Sequence, residues 1–270
     1  MLHAKRGTVN LDRGRMCARR LAATVAGGTI VRVTDSLSIL RAQVCDANIA
    51  LSRSGLAKFT FGNASGIDRD RGLVVIKPSG VPYERLEPGM LTVTDLDGNI
   101  IEGALRPSSD LPTHLVLYRA FSSIGGVVHT HSHYATAWAQ AGREIPCFGT
   151  THADHFHGAV PVTEALSQAD IELDYERNTG EAILRRFDGL DPIRMSAVLV
   201  AGHASFCWGL TVKDAVHTAE VLETIAQMAY DTLTLRAAAA PIAEALLDKH
   251  FFRKHGPDAY YGQPDEPRAT

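Results

Sequence analysis

Two imidazoles stand two residues apart at the end of an apolar run, Gly126-Val127-Val128-His129-Thr130-His131-Ser132. Side chains alternate across a strand, so His129 and His131 share a face. Two neutral imidazoles this close are competent ligands for a divalent metal such as zinc. A third, His203, follows another apolar run, Ala197-Val198-Leu199-Val200-Ala201. One histidine in such a place is usually just a hydrogen-bonded core or surface residue. The i, i+2 pair, repeated in kind at a second strand end, points to a metal instead. No Cys-x-x-Cys occurs, so the three histidines read as an open catalytic site rather than a closed structural one.

The elements that must position them are legible in the same pattern. Leu40, Val44, Ile49 and Leu51 fall near helical spacing, with Ser36 or Ser38 as N-cap and Gly55 as a stop. Lys58-Phe59-Thr60-Phe61 leads to an expected turn at Gly62-Asn63-Ala64-Ser65. Leu73-Val74-Val75-Ile76 reads as a buried strand ended by Lys77-Pro78-Ser79-Gly80. Met90–Thr94 and Ile100–Glu102 flank Asp97-Gly98-Asn99, a hairpin signal. Pro112 starts a short helix holding Leu115–Tyr118, and another helix over Ala135–Ala141 follows the histidine strand. Val160-Pro161-Val162 and Ser196–Ala201 are further strand candidates. Residues 211–236 form the longest helical pattern, and Pro241 forces a break before a helix over Ile242–Phe252. Hairpins mixed with helices predict a mixed or antiparallel sheet covered by helices.

The chain has 270 residues, 45% hydrophobic and 21% charged, which suits a soluble globular protein with a substantial core. A net charge of −3 gives no argument for nucleic-acid binding. Basic charge gathers at the start: residues 1–35 hold seven Lys and Arg against Asp12 and Asp35. That segment has few large apolar residues in any helical period and is expected to be a disordered extension. Its Leu21–Ala26 run is too short for a secretory signal. Its Arg-rich, acid-poor character also suits an organelle leader, and Met16 is an alternative start. Residues 36–263 are expected to form one domain, with 264–270 a C-terminal tail. Cys17, Cys45, Cys147 and Cys207 form no spaced framework, which fits free thiols in a reducing compartment. No apolar stretch is long enough to span a membrane. The expectation is a cytoplasmic protein without nucleic-acid or membrane partners.

Several motifs then occur in order: Phe61-Gly62-Asn63-Ala64-Ser65, Ile76-Lys77-Pro78-Ser79-Gly80-Val81, Pro107-Ser108-Ser109-Asp110, His129-Thr130-His131-Ser132, Gly149-Thr150-Thr151-His152-Ala153-Asp154 and Ala259-Tyr260-Tyr261-Gly262-Gln263. On them the chain resembles the class II aldolase/epimerase family from about Ser38 to Gln263. The resemblance implies an α/β fold in three layers, αβα, with a central mainly antiparallel sheet. It also implies a homotetramer with active sites at subunit interfaces, where Tyr261 is lent by the neighbour.

By the same resemblance His129, His131 and His203 hold one zinc ion per subunit, with Asp110 at or beside the coordination sphere. Asp110, between Ser109 and Pro112, also suits a helix cap. A zinc with open positions acts as a Lewis acid on a carbonyl. Gly62-Asn63, Ser79-Gly80 and Ser108-Ser109 resemble the family's phosphate-binding loops, with Lys77 as countercharge. Asp154 and Tyr261 resemble its two catalytic acid/base groups, and Thr150 and His250 its site lining. The activity implied is sugar-phosphate 4-epimerisation, interconverting L-ribulose 5-phosphate and D-xylulose 5-phosphate in arabinose catabolism. Retro-aldol cleavage between carbons 3 and 4 leaves an enediolate and glycolaldehyde phosphate; the aldehyde rotates and the bond reforms with carbon 4 inverted. Such a reaction needs proton-transfer groups on both faces of the aldehyde. His152, His155 and His157 are expected to make ordinary loop hydrogen bonds.

The chain departs from the family pattern after the third histidine. Ala204-Ser205 stands where the family usually has Gly-Pro, which bears on how the turn aims His203. Three other functions fit parts of the pattern. A class II sugar-phosphate aldolase typically carries a glutamate in place of Asp110. An epimerase acting on L-xylulose 5-phosphate shares every motif. A non-catalytic adducin-like interaction module loses the metal ligands, and this chain keeps all three.

Overall fold

In the computed structural model, which describes residues 36–261, the strands are β1 (Gly62–Asp68), β2 (Leu73–Ile76), β3 (Thr92–Asp95), β4 (Ile100–Glu102), β5 (Gly126–Thr130), β6 (Ala197–Leu199) and β7 (Ser205–Gly209). They form one sheet in the order β4-β3-β2-β1-β5-β7-β6, every neighbouring pair antiparallel. The helices are α1 (Ser36–Arg53), α2 (Leu111–Ala120), α3 (His133–Gln140), α4 (Thr150–Ala153), α5 (Gln168–Arg186), α6 (Val212–Leu235) and α7 (Glu244–His255). The expected extension over 1–35, the tail over 264–270 and the motif residues Gly262 and Gln263 lie outside the described residues.

Strand alternation assigns the layers. Ser65 points to one face of β1, where its hydroxyl meets His114 and Tyr118 of α2. Its neighbour Gly66 points to the other, where Leu40 and Val44 of α1 and Val212 of α6 lie. The sheet is therefore a middle layer, with α2 on one side and α1 with α6 on the other, which is the three-layer αβα arrangement.

A line of glycines brings α6 onto the sheet. Gly66 pairs with Gly126, and Gly126 with Gly209, across three adjacent strands. A Cβ on Gly126 would lie 2.5 Å from Val212 Cα, and one on Gly209 2.5 Å from Asp214 Cβ. The first turn of α6 thus rests against bare backbone, fixed by a capping box between Thr211 and Asp214. Beneath the opposite face, Trp208 packs with Phe121 and Phe187.

Two local expectations need correction, and one helix has no counterpart among the expected elements. The segment from Gly62 to Ser65 is not a turn but the start of β1, a central strand. Its small residues are there because helices crowd one face of it, so the apolar alternation that signals a strand is missing. Val160-Pro161-Val162 makes only isolated bridges, to Ile145 and Leu199. Pro161 accepts a bond from Leu199 N–H but has none to donate, so no ladder continues there. Helix α5, which the apolar pattern does not announce, buries only Thr179, Gly180, Ala182 and Ile183.

Candidate functional site

His129 sits on β5 opposite Asn63 of β1 and Phe206 of β7, on the face covered by α2. His131 lies just beyond the end of the strand. His203 lies in the tight β6–β7 turn, closed by Val200 N–H to Ala204 O at 2.8 Å and His203 N–H to Val200 O at 3.0 Å. Gly202 takes φ +71° there, a conformation that favours glycine. Ala204-Ser205 therefore still closes a turn that brings His203 to the other two.

The three Nε2 atoms converge. His129 Nε2 is 3.1 Å from His131 Nε2 and 3.2 Å from His203 Nε2. Two of the remaining ring nitrogens have outer partners: His129 Nδ1–H donates to Ser205 O at 2.9 Å, and His203 Nδ1 meets the Tyr175 hydroxyl. Phe206 stacks on His129, centroids 4.3 Å apart. Burial, then the neighbouring imidazoles, lowers His131 and brings His203 down to about 4. With Nδ1 of His129 and His203 committed outward, the three Nε2 atoms face one point, which fits a divalent cation. Just after His131 in the chain, the N–H groups of Tyr134 and Ala135 donate to the Glu223 carboxylate at 2.8 and 2.9 Å, fixing the start of α3.

Asp110 stands beside these histidines without joining their converging set. It occupies the N-cap position of α2, yet its side chain makes no capping bond. Its carboxylate instead accepts from Asn63 Nδ2 at 2.6 Å and Ser108 Oγ at 3.3 Å. Burial pushes this carboxyl up, but His129, His114 and the Asn63 bond outweigh it and hold it below the usual range. Asn63 Oδ1 is buried without a partner.

The expected phosphate loops lie side by side. Ser108 N–H donates to Lys77 O and Ser79 N–H to Arg106 O, both at 2.9 Å, and Tyr83 Oη donates to Gly62 O at 2.7 Å. Lys77 is buried, its ammonium 4.8 Å from the Tyr83 ring centroid and bonded to Pro78 O. Burial lowers it to about 8. Ser79, Gly80 and Ser109 are exposed.

A second group forms around Arg253 on α7. Its guanidinium holds Asp154 through both carboxylate oxygens, at 2.9 and 2.8 Å. His250 Nδ1 donates to Asp154 at 3.0 Å, and Lys254 Nζ lies 3.7 Å away. Burial raises this carboxyl, but Arg253, His250 and Lys254 prevail and keep it low. The Tyr261 ring lies under the same guanidinium, at 4.9 Å, and under Lys254 at 4.4 Å. Thr150 opens the short α4, its carbonyl accepting Asp154 N–H at 2.9 Å. Asp154 and Tyr261, expected on opposite faces of one aldehyde, thus gather about one side chain. Among the described residues no hydrogen bond, ion pair or ring contact joins this group to the histidines. His152 donates to Gly158 O, His157 pairs with Asp248, and His155 packs against His217.

Residues 42–230 match the family described as Class II Aldolase and Adducin N-terminal domain. The chain belongs to that family. Among class II aldolase relatives, L-ribulose-5-phosphate 4-epimerase UlaF of Salmonella paratyphi C (strain RKS4594) is 53% identical over 224 residues, covering 83% of this chain and 98% of that protein. A solved L-fuculose 1-phosphate aldolase superposes with TM-score 0.67 at 25% identity, over 79% of this chain and 94% of its own. A sugar-phosphate aldolase from Thermotoga maritima shares the fold, with TM-score 0.57 at 18% identity over 73% of this chain and 96% of its own.

Several residues of the site escape a reading of spacing. Arg253 carries no motif, and only the packing of α7 on α4 brings it to Asp154. Tyr175 follows a break in α5 and has no local signal. Phe59, at φ +55°, is held in the left-handed region beside Phe61, whose ring centroid lies 6.3 Å from that of His131. A strained bulky residue at a site's edge is a feature only coordinates reveal.

Proposed function

We propose that this class II aldolase-family chain is a zinc-dependent 4-epimerase that interconverts L-ribulose 5-phosphate and D-xylulose 5-phosphate. The observation that carries this reading is the convergence of three Nε2 atoms in a chain 53% identical to a protein named for that activity. A metal held by His129, His131 and His203 would supply Lewis-acid polarisation of the substrate's carbonyl. Asp110 holds Asn63 in place, and the unpaired Asn63 Oδ1 offers an acceptor to a substrate hydroxyl. The loops at Gly62-Asn63, Ser79-Gly80 and Ser108-Ser109 receive the phosphate, with Lys77 beneath them.

Asp154, kept ionised by Arg253 and His250, takes the proton of the carbon 4 hydroxyl as the bond between carbons 3 and 4 breaks. Tyr261 Oη, lent by the neighbouring subunit, returns a proton to the carbon 4 oxygen when the bond reforms on the other face. Thr150 and His250 line the approach. Since the group around Arg253 is not joined to the histidines within the chain, we place the working site between subunits of a homotetramer. Exposed Phe59, Phe61, Met228, Tyr230 and Leu235 supply apolar surface for such contacts. None of the described helices is long and apolar enough to cross a membrane; the site for the reaction in this proposal is the cytoplasm.

The aldolase among the structural neighbours motivates the alternative, in which the aldehyde is released rather than re-faced. Tyr261→Phe distinguishes the two. Epimerisation should fall by about 10²–10⁴-fold, as for loss of a general acid, while metal content stays whole because the phenol is no ligand. Wild-type epimerisation by Tyr261→Phe would remove the second acid from the scheme. Free glycolaldehyde phosphate accumulating as the main product of the wild type would favour the aldolase.

A further inference from the structure

His203 is the metal-facing histidine with the least backbone support, carried on a two-strand turn rather than within a strand. Its Nε2 faces His129 Nε2, and a nitrogen that binds a cation carries no proton, so with a metal bound the ring proton belongs to Nδ1. The partner of Nδ1 is the Tyr175 hydroxyl, and the two rings stack with centroids 6.0 Å apart and planes 30° from parallel. His129 has a main-chain carbonyl in the same role. We propose that Tyr175 is the positioning residue for the third ligand, accepting His203 Nδ1–H and so fixing both the tautomer and the aim of Nε2. The proposal rests on the three histidines being a metal centre.

The path of α5 explains how the phenol reaches that point. The capping box between Ser167 and Asp170 starts the helix, and Asp174, at φ −161° and ψ 76°, breaks it one residue before Tyr175. Asn178 Nδ2 donates to Asp170 O at 2.8 Å, tying the two pieces across the break. Beyond it the helix is pressed onto α2. Thr113 Oγ1 donates to the Glu176 carbonyl, and a Cβ on Gly180 would lie 2.7 Å from Val116 Cβ. Helix α2 begins next to Asp110, so one packed helix pair carries both Asp110 and Tyr175 to the centre. The β6–β7 turn arrives from the sheet. Tyr175 is the tie between them.

Outer partners of metal-bound histidines typically contribute about 10–100-fold in metal affinity. The test uses the full chain stripped of metal and titrated with Zn²⁺ alone against a chromophoric chelator. Tyr175→Phe, which keeps the stacked ring, should weaken Zn²⁺ binding by about 10–100-fold and alter the visible spectrum of the Co²⁺-loaded protein. In a His203→Asn background the same change should have almost no further effect, because its action runs through His203. Unchanged affinity in Tyr175→Phe, or an equal loss in the His203→Asn background, would overturn the proposal while leaving the metal centre intact. A wild-type chain that fails to bind Zn²⁺ would overturn the metal centre and this inference together. Gly180→Ala, which must lift α5 from Val116 without touching the site, should weaken Zn²⁺ binding in the same direction.

Discussion

Replacing Gly126 by alanine tests whether α6 positions the strand that carries His129. The new Cβ would lie 2.5 Å from Val212 Cα, 2.8 Å from Val212 N and 2.9 Å from Thr211 O. All three are main-chain atoms, so no side chain can rotate away. Ordinary carbon contacts need about 3.5 Å, so the start of α6 must move by roughly 1 Å. That movement pulls at the Thr211–Asp214 capping box and at Val212, which is buried against the sheet. Overpacking of a tight core typically costs about 1–3 kcal/mol, and the absence of any yielding atom places Gly126→Ala near about 3 kcal/mol. Gly89→Ala is the control: no atom lies within 4 Å of its would-be Cβ and its φ is not positive. There the effect should stay within about 0.5 kcal/mol. Urea denaturation of the two variants beside the wild type measures the difference. Equal midpoints for Gly126→Ala and Gly89→Ala would refute the close approach of α6 to the sheet.

Two further outcomes are expected. Burial lowers His152 to about 4, against an ordinary value near 6.5, even though Nε2–H donates to Gly158 O. The unfolded chain therefore binds the proton first, so the contribution of His152 is complete above about pH 6.5 and declines as pH falls toward about 4. The loss across that window is on the order of 3 kcal/mol. His152→Gln should flatten the fall in urea midpoint between those pH values, and a slope equal to that of the wild type would contradict the assignment. Separately, 224 residues of this chain cover 98% of the Salmonella relative, leaving 46 of its 270 outside that match. A chain beginning at Ser36 should keep turnover within about 2-fold and an unchanged melting temperature; a large loss of either would assign residues 1–35 a structural or catalytic part.

What the sequence discloses here depends on how local the cause is. His129 and His131 are legible as a pair because strand alternation is a two-residue rule, and His203 because an apolar run stops just before it. The hairpin around Gly98 and the long helix α6 follow from equally local patterns. Strand β1 is misread as a turn for a non-local reason. Its small side chains answer to Leu40, Val44 and Val212, which approach from distant segments. Asp110 shows the same limit: neighbours in sequence suggest a cap, whereas its carboxylate is taken up by Asn63, 47 residues away. Tyr175 and Arg253 act through a helix break and a helix–helix contact, neither of which leaves a spacing rule in the chain.

The central claim joins the metal centre to the reaction, and one measurement addresses both. Purified protein is given L-ribulose 5-phosphate before and after removal of metal by a chelator, then after return of Zn²⁺, with D-xylulose 5-phosphate and bound zinc measured together. The account predicts product with about one zinc per chain, loss of product with the metal, and recovery when it returns. Full conversion by the metal-free chain, or none by the zinc-loaded chain, would contradict it.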